Sequence, residues 1–340
     1  MKRTFNLGLD RFSGLYLGAA FVIIFGVWSP GTFLTMDTVH VIASQQAVAG
    51  IVALAVLIPM VAGQFDLSVG FTANLCGLIA VLLQNDYGIP VPLAIVLAVV
   101  TGAMIGALNG LIVVKLGVNS FIATLGMGSV ILAVQAIVTK SETPLPVSSQ
   151  FFGKLTQQPV LGFQIVIVYL MVLAVLVWWI LSFTPAGRYM YATGSNSLAA
   201  RLSGVQTDKW TWLSLISSAS LAGFAGVLYV SLTGPSLSFN QTLLLPSFAA
   251  VFLGSTQLKP GRFNVWGTLI AIFVLAIGVQ GLQLVSGIQW VQDMFNGVAL
   301  IVAVSLSLKR KRGLGKSKRA ASGAELPDEV LQEPGTAPVP

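Results

Sequence analysis

Apolar residues in this chain come in long runs with short polar joints between them, and no sustained period-2 alternation breaks the runs up. A helix needs about 20 consecutive apolar residues to cross a hydrocarbon core. Ten stretches approach or meet that length: Gly14–Phe33, Val41–Ala62, Leu67–Leu83, Val91–Val114, Asn119–Thr139, Gln164–Phe183, Trp210–Ser231, Leu243–Thr256, Phe263–Val285 and Gln289–Leu308. The pattern predicts an all-α membrane protein of about ten transmembrane helices. The eighth stretch is too short for a perpendicular span and is expected to be tilted, broken or re-entrant. The third follows the second so closely that the Gly63–Gly70 connection must be a tight turn or sit partly within the membrane. The first apolar run exceeds the 7–15 residues of a signal-peptide core, so it reads as an uncleaved first helix.

The joints divide the chain into residues 1–13, a membrane domain over 14–308, and a tail over 309–340 that is first basic and then rich in Pro, Ala, Gly and acids. That last portion has the composition of a disordered segment. Two polar segments between runs are long. Lys140–Phe163, with Pro144, Pro146 and Pro159, reads as a loop on one side, and Thr184–Lys209 as a loop on the other. Five runs, a long loop and five runs are compatible with two pseudo-related halves.

Charge fixes the expected orientation. Ten spans place both termini on one side, and that side then carries every Lys and Arg of the chain except Lys140 and Lys154. Positive charge accumulates in cytoplasmic joints, so the N- and C-termini and the 184–209 loop are expected to be cytoplasmic, in a bacterial inner membrane. Composition agrees: 55% of residues are hydrophobic and 9% are charged, against about 25% charged in soluble domains. Such a chain needs a bilayer as its solvent.

Candidate chemistry is sparse. There is no phosphate-cradling G-x-x-x-x-G-K-[ST] loop, so the chain is not expected to hydrolyse ATP itself. Cys76 is the only cysteine and His40 the only histidine, which argues against a metal site; no cofactor and no nucleic-acid partner are expected. Of the acids near spans, Asp66 starts the third run, where it can cap the helix or serve a gate. Asp293 lies near the outer end of the tenth run. The remaining polar groups within the spans are neutral, among them Gln45, Gln46, Asn74, Asn109, Gln135, Ser218, Gln280, Gln283 and Asn296. They suit a path for a neutral polyhydroxylated solute, or hydrogen bonds between helices. Asp66, Asn74, Asn109 and Gln280 are the pathway or gate candidates.

The 184–209 loop is the most informative segment. It reads T-P-A-G-R-Y-M-Y-A-T-G-S-N-S-L-A-A-R-L-S-G from Thr184 to Gly204. Ser195 or Asn196 can cap a short helix through Leu202, and Gly204 can end it. Ala199 and Ala200 would give that helix a small-residue surface for docking on another protein.

This loop resembles the coupling segment of the permease subunits of ABC sugar importers, the ribose, xylose and galactoside permease family. Its pattern T-x-x-G-R-x-x-Y-A-x-G-x-N-x-x-A-A-x-x-x-G is met by Thr184, Gly187, Arg188, Tyr191, Ala192, Gly194, Asn196, Ala199, Ala200 and Gly204. Asp66-Leu67-Ser68-Val69-Gly70, Gly106-Ala107-Leu108-Asn109-Gly110, Phe121–Gly126 and Phe248–Gly254 are similar to further family segments, while Gln64-Phe65 stands where Gly-Ile is usual. The resemblance covers about residues 14–308. It implies a transport subunit that is not itself an enzyme. Two permease chains, most simply a homodimer, would form the channel. A cytoplasmic ABC ATPase would dock on Gly187, Arg188, Gly194, Asn196, Ala199, Ala200, Arg201 and Gly204, and a periplasmic binding protein would deliver the solute. The reading set against it is an ion-coupled secondary transporter using Asp66 or Asp293.

Overall fold

The computed structural model describes residues 9–160, 162–288 and 290–321, with side chains placed over 12–307 apart from 161 and 289. The described chain is helical almost throughout. It runs α1 Leu9–Trp28, α2 Pro30–Phe33, α3 Met36–Val61, α4 Val69–Asn85, α5 Val91–Lys115, α6 Ser120–Thr139 and α7 Gln150–Gln157. After a two-residue antiparallel pair, β1 Pro159–Val160 with β2 Phe163–Gln164, come α8 Val166–Phe183, α9 Pro185–Ser195 and α10 Ser197–Leu202. The chain then forms α11 Thr207–Thr233, α12 Asn240–Gly254, α13 Val265–Ser286 and α14 Trp290–Ala321.

Each of the ten apolar runs falls on a helix, the first on α1 with α2. Among the described residues seven helices are long and apolar enough to cross a membrane: α3, α5, α6, α8, α11, α13 and α14. Three apolar helices are shorter, at Phe12–Trp28, Val69–Asn85 and Asn240–Gly254. The 140–163 loop is more structured than its prolines suggest. It holds α7, which buries Phe152 and Thr156 against α11, where the Ser231 hydroxyl donates to the Phe152 carbonyl at 2.6 Å. Helix α14 continues beyond the predicted end at Leu308 through the basic Lys309–Arg319 stretch. The calls on residues 1–8 and on the last part of the tail lie outside the described residues.

Helix α3 is the axis of the bundle. From Ala47 to Ala62 its side chains are buried on every face, as expected of a helix that is hydrophobic all round. It is enclosed by α4, α8, α11, α12 and α13. Helices α4, α5 and α11 pack most closely of all, because their contact faces are made of small residues. On α5, Gly102 and Gly106 lie one turn apart against the Ala219 and Leu215 carbonyls of α11, where a Cβ would overlap backbone oxygen.

Two of the shorter apolar helices, α4 and α12, begin inside this packing rather than at its ends. Gly70, the second residue of α4, sits against the carbonyl of Asn240, the first residue of α12. The irregular connections Ala62–Ser68 and Gly234–Phe239 therefore run into the bundle before their helices start. The eighth run is thus a short helix entered from irregular backbone within the bundle, and the 62–68 connection joins the closely spaced second and third runs in the same way.

Candidate functional site

The Ala62–Ser68 connection gathers the main polar cluster. Helix α3 ends at Ala62, and Gly63 reverses the chain at φ 79° with Gln64 N–H bonded back to the Pro59 carbonyl at 2.9 Å, a glycine C-terminal cap. Gly63 lies against Gly194 of α9. Three residues later Asp66 is wholly buried against Ser218. Ser218 is 11 residues into α11, about 16 Å along its axis at 1.5 Å per residue.

Asp66 does not occupy the N-cap of α4, a position that belongs to Ser68. Its carboxylate instead closes a turn ahead of the helix: Oδ1 accepts the Ser68 amide at 3.1 Å and the Ser68 hydroxyl at 2.6 Å, and Oδ2 accepts the Ser218 hydroxyl at 3.1 Å. Asn109 of α5 donates to Ser68 Oγ at 2.9 Å. From α6, Ser120 Oγ accepts the Phe65 amide at 3.1 Å and Thr124 Oγ1 the Leu67 amide at 3.0 Å. Irregular backbone inside an apolar bundle must find partners within the protein, and side chains from α5, α6 and α11 supply them. Asp66 and Asn109 are thus brought together.

Asn74 lies in the second turn of α4 and is also fully buried. Its amide nitrogen donates to the Leu237 carbonyl at 2.9 Å, as does that of Gln135 from α6 at 2.8 Å. The 234–239 connection is held in this way from both sides. The Oδ1 atoms of Asn74 and Asn109 and the Oε1 of Gln135 are buried with no partner among the described residues. Gln280 stands apart from this cluster: it is half-buried on α13, which packs mainly on α1, α3, α12 and α14.

The 184–209 loop holds two helices, one fastened and one free. Gly187 of α9 lies against the Leu181 backbone and Gly194 against the Val61 carbonyl, in both cases too close for a Cβ. The Tyr191 phenol donates to the Phe263 carbonyl at 2.6 Å, with the Arg262 guanidinium 3.6 Å over its ring. Burial pushes this phenol above its usual value while Arg262 lowers it part of the way, so it stays protonated as a donor. Helix α9 is therefore joined to α8, α3 and the α12–α13 turn. Helix α10 projects. Asn196 caps it, its Oδ1 accepting the Ala199 amide at 3.0 Å, and Gly204 follows it at φ 84°. Arg201 bridges to Asp208 at 2.5 Å and ties it to the start of α11. The expected alanine surface is half right. Ala199 and Arg188 are exposed, but Ala200 is buried at 6% exposure. The outward apolar groups are Leu198 and Leu202, one turn apart at 69% and 82% exposure.

This geometry can be set beside known proteins. The family model described as branched-chain amino acid transport system / permease component matches residues 39–304. The chain belongs to this permease family. The permease is similar to the fructose import permease protein of Rhizobium meliloti, at 30% identity over 84% of this chain and 81% of that protein. It is 30% identical to the ribose import permease protein of Escherichia coli K12, over 85% and 91% of the two chains. It is 29% identical to the autoinducer 2 import system permease protein of Yersinia enterocolitica, over 87% and 92%. No solved structure matches it. Family and apolar helices together make it a multi-pass protein of the inner membrane.

Sequence reasoning on the permease missed Ser68, Ser120 and Thr124, which hold the first connection, and the Leu237 carbonyl, which anchors the second. Ser68 and Thr124 lie inside the family-like segments at 66–70 and 121–126, which was the signal available; their bonding was not legible, because small hydroxyl residues in helices usually bond their own i−4 carbonyl. A backbone carbonyl leaves no sequence signal at all.

Proposed function

We propose that this chain is the membrane-spanning permease subunit of an ATP-driven ABC importer for a monosaccharide or a similar small polar solute. It crosses the inner membrane ten times with both termini in the cytoplasm and pairs with a second copy. ATP hydrolysis belongs to a cytoplasmic ATPase, and a periplasmic binding protein delivers the solute. The relatives named for fructose and ribose import support the solute class.

The observation that carries this reading is α10. A short capped helix presents Leu198 and Leu202 to water from a base, α9, that is locked to three other parts of the bundle. Exposed apolar residues on a rigid mount are a docking surface. Force applied there reaches Gly194, then Gly63, and then the Asp66 connection. Asp66, Asn109 and Asn74 act as a gate in this scheme, and Gln280 borders the path. An ion-coupled mechanism would need Asp66 to exchange its partners with each cycle, whereas three donors converge on it.

Co-purification tests the reading. With both leucines replaced, Leu198→Asp and Leu202→Asp, recovery of the ATPase with the permease is expected to fall at least tenfold with permease folding unchanged. Full recovery would reject α10 as the docking helix.

A further inference from the structure

Helix α14 is longer than the membrane is thick. Its 32 residues run about 48 Å at 1.5 Å per residue, against a hydrocarbon core of about 30 Å. The apolar span is Trp290–Ser307. Past Leu308 the same helix carries Lys309, Arg310, Lys311, Arg312, Lys316, Lys318 and Arg319. Neither the docking helix nor the gate uses them.

Within the membrane the two sides of α14 are distinct. Asn296, Ala303 and Ser307 are buried on the bundle side, where the hydroxyls of Ser307 and Ser255 share a hydrogen bond of 3.0 Å. Met294, Val298, Ile301 and Ser305 are exposed on the opposite side. These four follow one another at steps of four, three and four residues, the repeat of a single helix face. Carried on without a break, the repeat reaches Lys309, Arg312, Lys316 and Arg319 at steps of four, three, four and three. At 3.6 residues per turn these register positions fall within about 80° of one another. Arg310, Lys311 and Lys318 fall on the other half of the helix. The face that meets lipid tails inside the membrane therefore continues, where the helix leaves it, as a row of cationic positions about 15 Å long.

That placement decides between two acidic partners. Ser255 ends α12 at the α12–α13 turn, and Arg262 of this turn lies over Tyr191 of α9. The bundle side of α14 is thus the side toward the α9–α10 loop, where a soluble protein would dock. The row lies on the far side, toward the surrounding lipid.

We infer that Lys309, Arg312, Lys316 and Arg319 form a binding surface for anionic phospholipid headgroups in the leaflet that α14 leaves at Leu308. Cations beside an anionic leaflet are drawn to it, and the attraction fades within a Debye length of about 8 Å. The positions nearest the span contribute most. A charge count that sets orientation is blind to helix face, whereas this surface is confined to one. It does not depend on the ATP-driven reading.

The test uses the full chain in nanodiscs of nine parts phosphatidylcholine to one part phosphatidylglycerol, without ATPase or ATP, so its failure is separate from failure of the transport scheme. Native mass spectrometry reads which lipids stay on the protein. Phosphatidylglycerol should be enriched at least threefold over its share of the disc, and added salt should weaken the enrichment. The variant Lys309→Gln, Arg312→Gln, Lys316→Gln should lose it. The variant Arg310→Gln, Lys311→Gln, Lys318→Gln removes the same charge from the other half of the helix and should keep it. The inference is overturned by no enrichment around the unaltered chain, by enrichment indifferent to salt, by enrichment that survives in the first variant, or by equal loss in the two. Loss of ATPase co-purification in the first variant, with phosphatidylglycerol enrichment unchanged, would give the row to the ATPase and overturn it as well.

Discussion

The Asp66 connection and the cavity lined by Gln45, Gln46, Tyr229, Gln292 and Asn296 are both polar regions in an apolar bundle, and they are built in opposite ways. In the connection, Asn109 of α5 and Ser218 of α11 donate to Ser68 and Asp66, the α6 hydroxyls of Ser120 and Thr124 accept the amides of Phe65 and Leu67, and with the Ser68 amide and hydroxyl the carboxylate has three donors. In the cavity, Gln45, Gln46 and Asn296 line open space beside Leu243 and Ile272. The contrast separates polar groups that hold the chain from polar groups that face open space. Residue type alone does not make that distinction, since an asparagine serves each purpose.

The contrast breaks first at Asp66. Asp66→Ala leaves the Ser68 amide, the Ser68 hydroxyl and the Ser218 hydroxyl without their acceptor, at about 1–3 kcal/mol each. Several kcal/mol is a large share of a typical total stability. Denaturation in mild detergent should show the variant largely unfolded under conditions where Asn296→Leu keeps native stability. Equal stability of the two would erase the distinction.

A smaller effect is expected at the joint between loop and connection. In Gly194→Leu the new side chain meets the Val61 carbonyl and displaces α9 from the end of α3. Solute uptake should fall at least tenfold while the ATPase still co-purifies, because α10 keeps its leucines. Loss of ATPase binding instead would place Gly194 in the docking surface.

The smallest effect belongs to the Arg201–Asp208 pair, whose side chains are 62% and 64% exposed. Exposed pairs contribute about 0.2–1 kcal/mol, so Arg201→Ala should leave thermal stability within a degree or two. A large destabilisation would show that α10 is as firmly fastened as α9.

Much of the fold was legible. Apolar run length marked every long helix, because in a bilayer protein length and hydropathy are the constraint themselves. The closeness of the second and third runs pointed to a connection buried in the bundle, and the eighth run is a short helix as its length implied. In the loop, Asn196 and Gly204 marked the limits of α10 because caps depend on local residue type. The preceding α9 went unseen, since its buried face of Gly187, Met190 and Thr193 is too mixed to read as a helix stripe. The side chosen for Ala200 was wrong for a related reason: one turn of helix has no periodicity to orient it. The site was legible only where ionisable groups are rare. Asp66 stood out as nearly the only acid in a span, and its neighbour Asn109 was found, but the hydroxyls and the carbonyl that complete the cluster look like any others.

Uptake into proteoliposomes measures the central claim, that this bundle is driven from outside through α10. The permease is reconstituted with its ATPase and binding protein and supplied with labelled D-ribose or D-fructose. Accumulation should require ATP inside, persist when ionophores collapse proton and sodium gradients, and vanish in the Leu198→Asp, Leu202→Asp variant. Uptake that proceeds without ATP and disappears with the ion gradients would contradict the account.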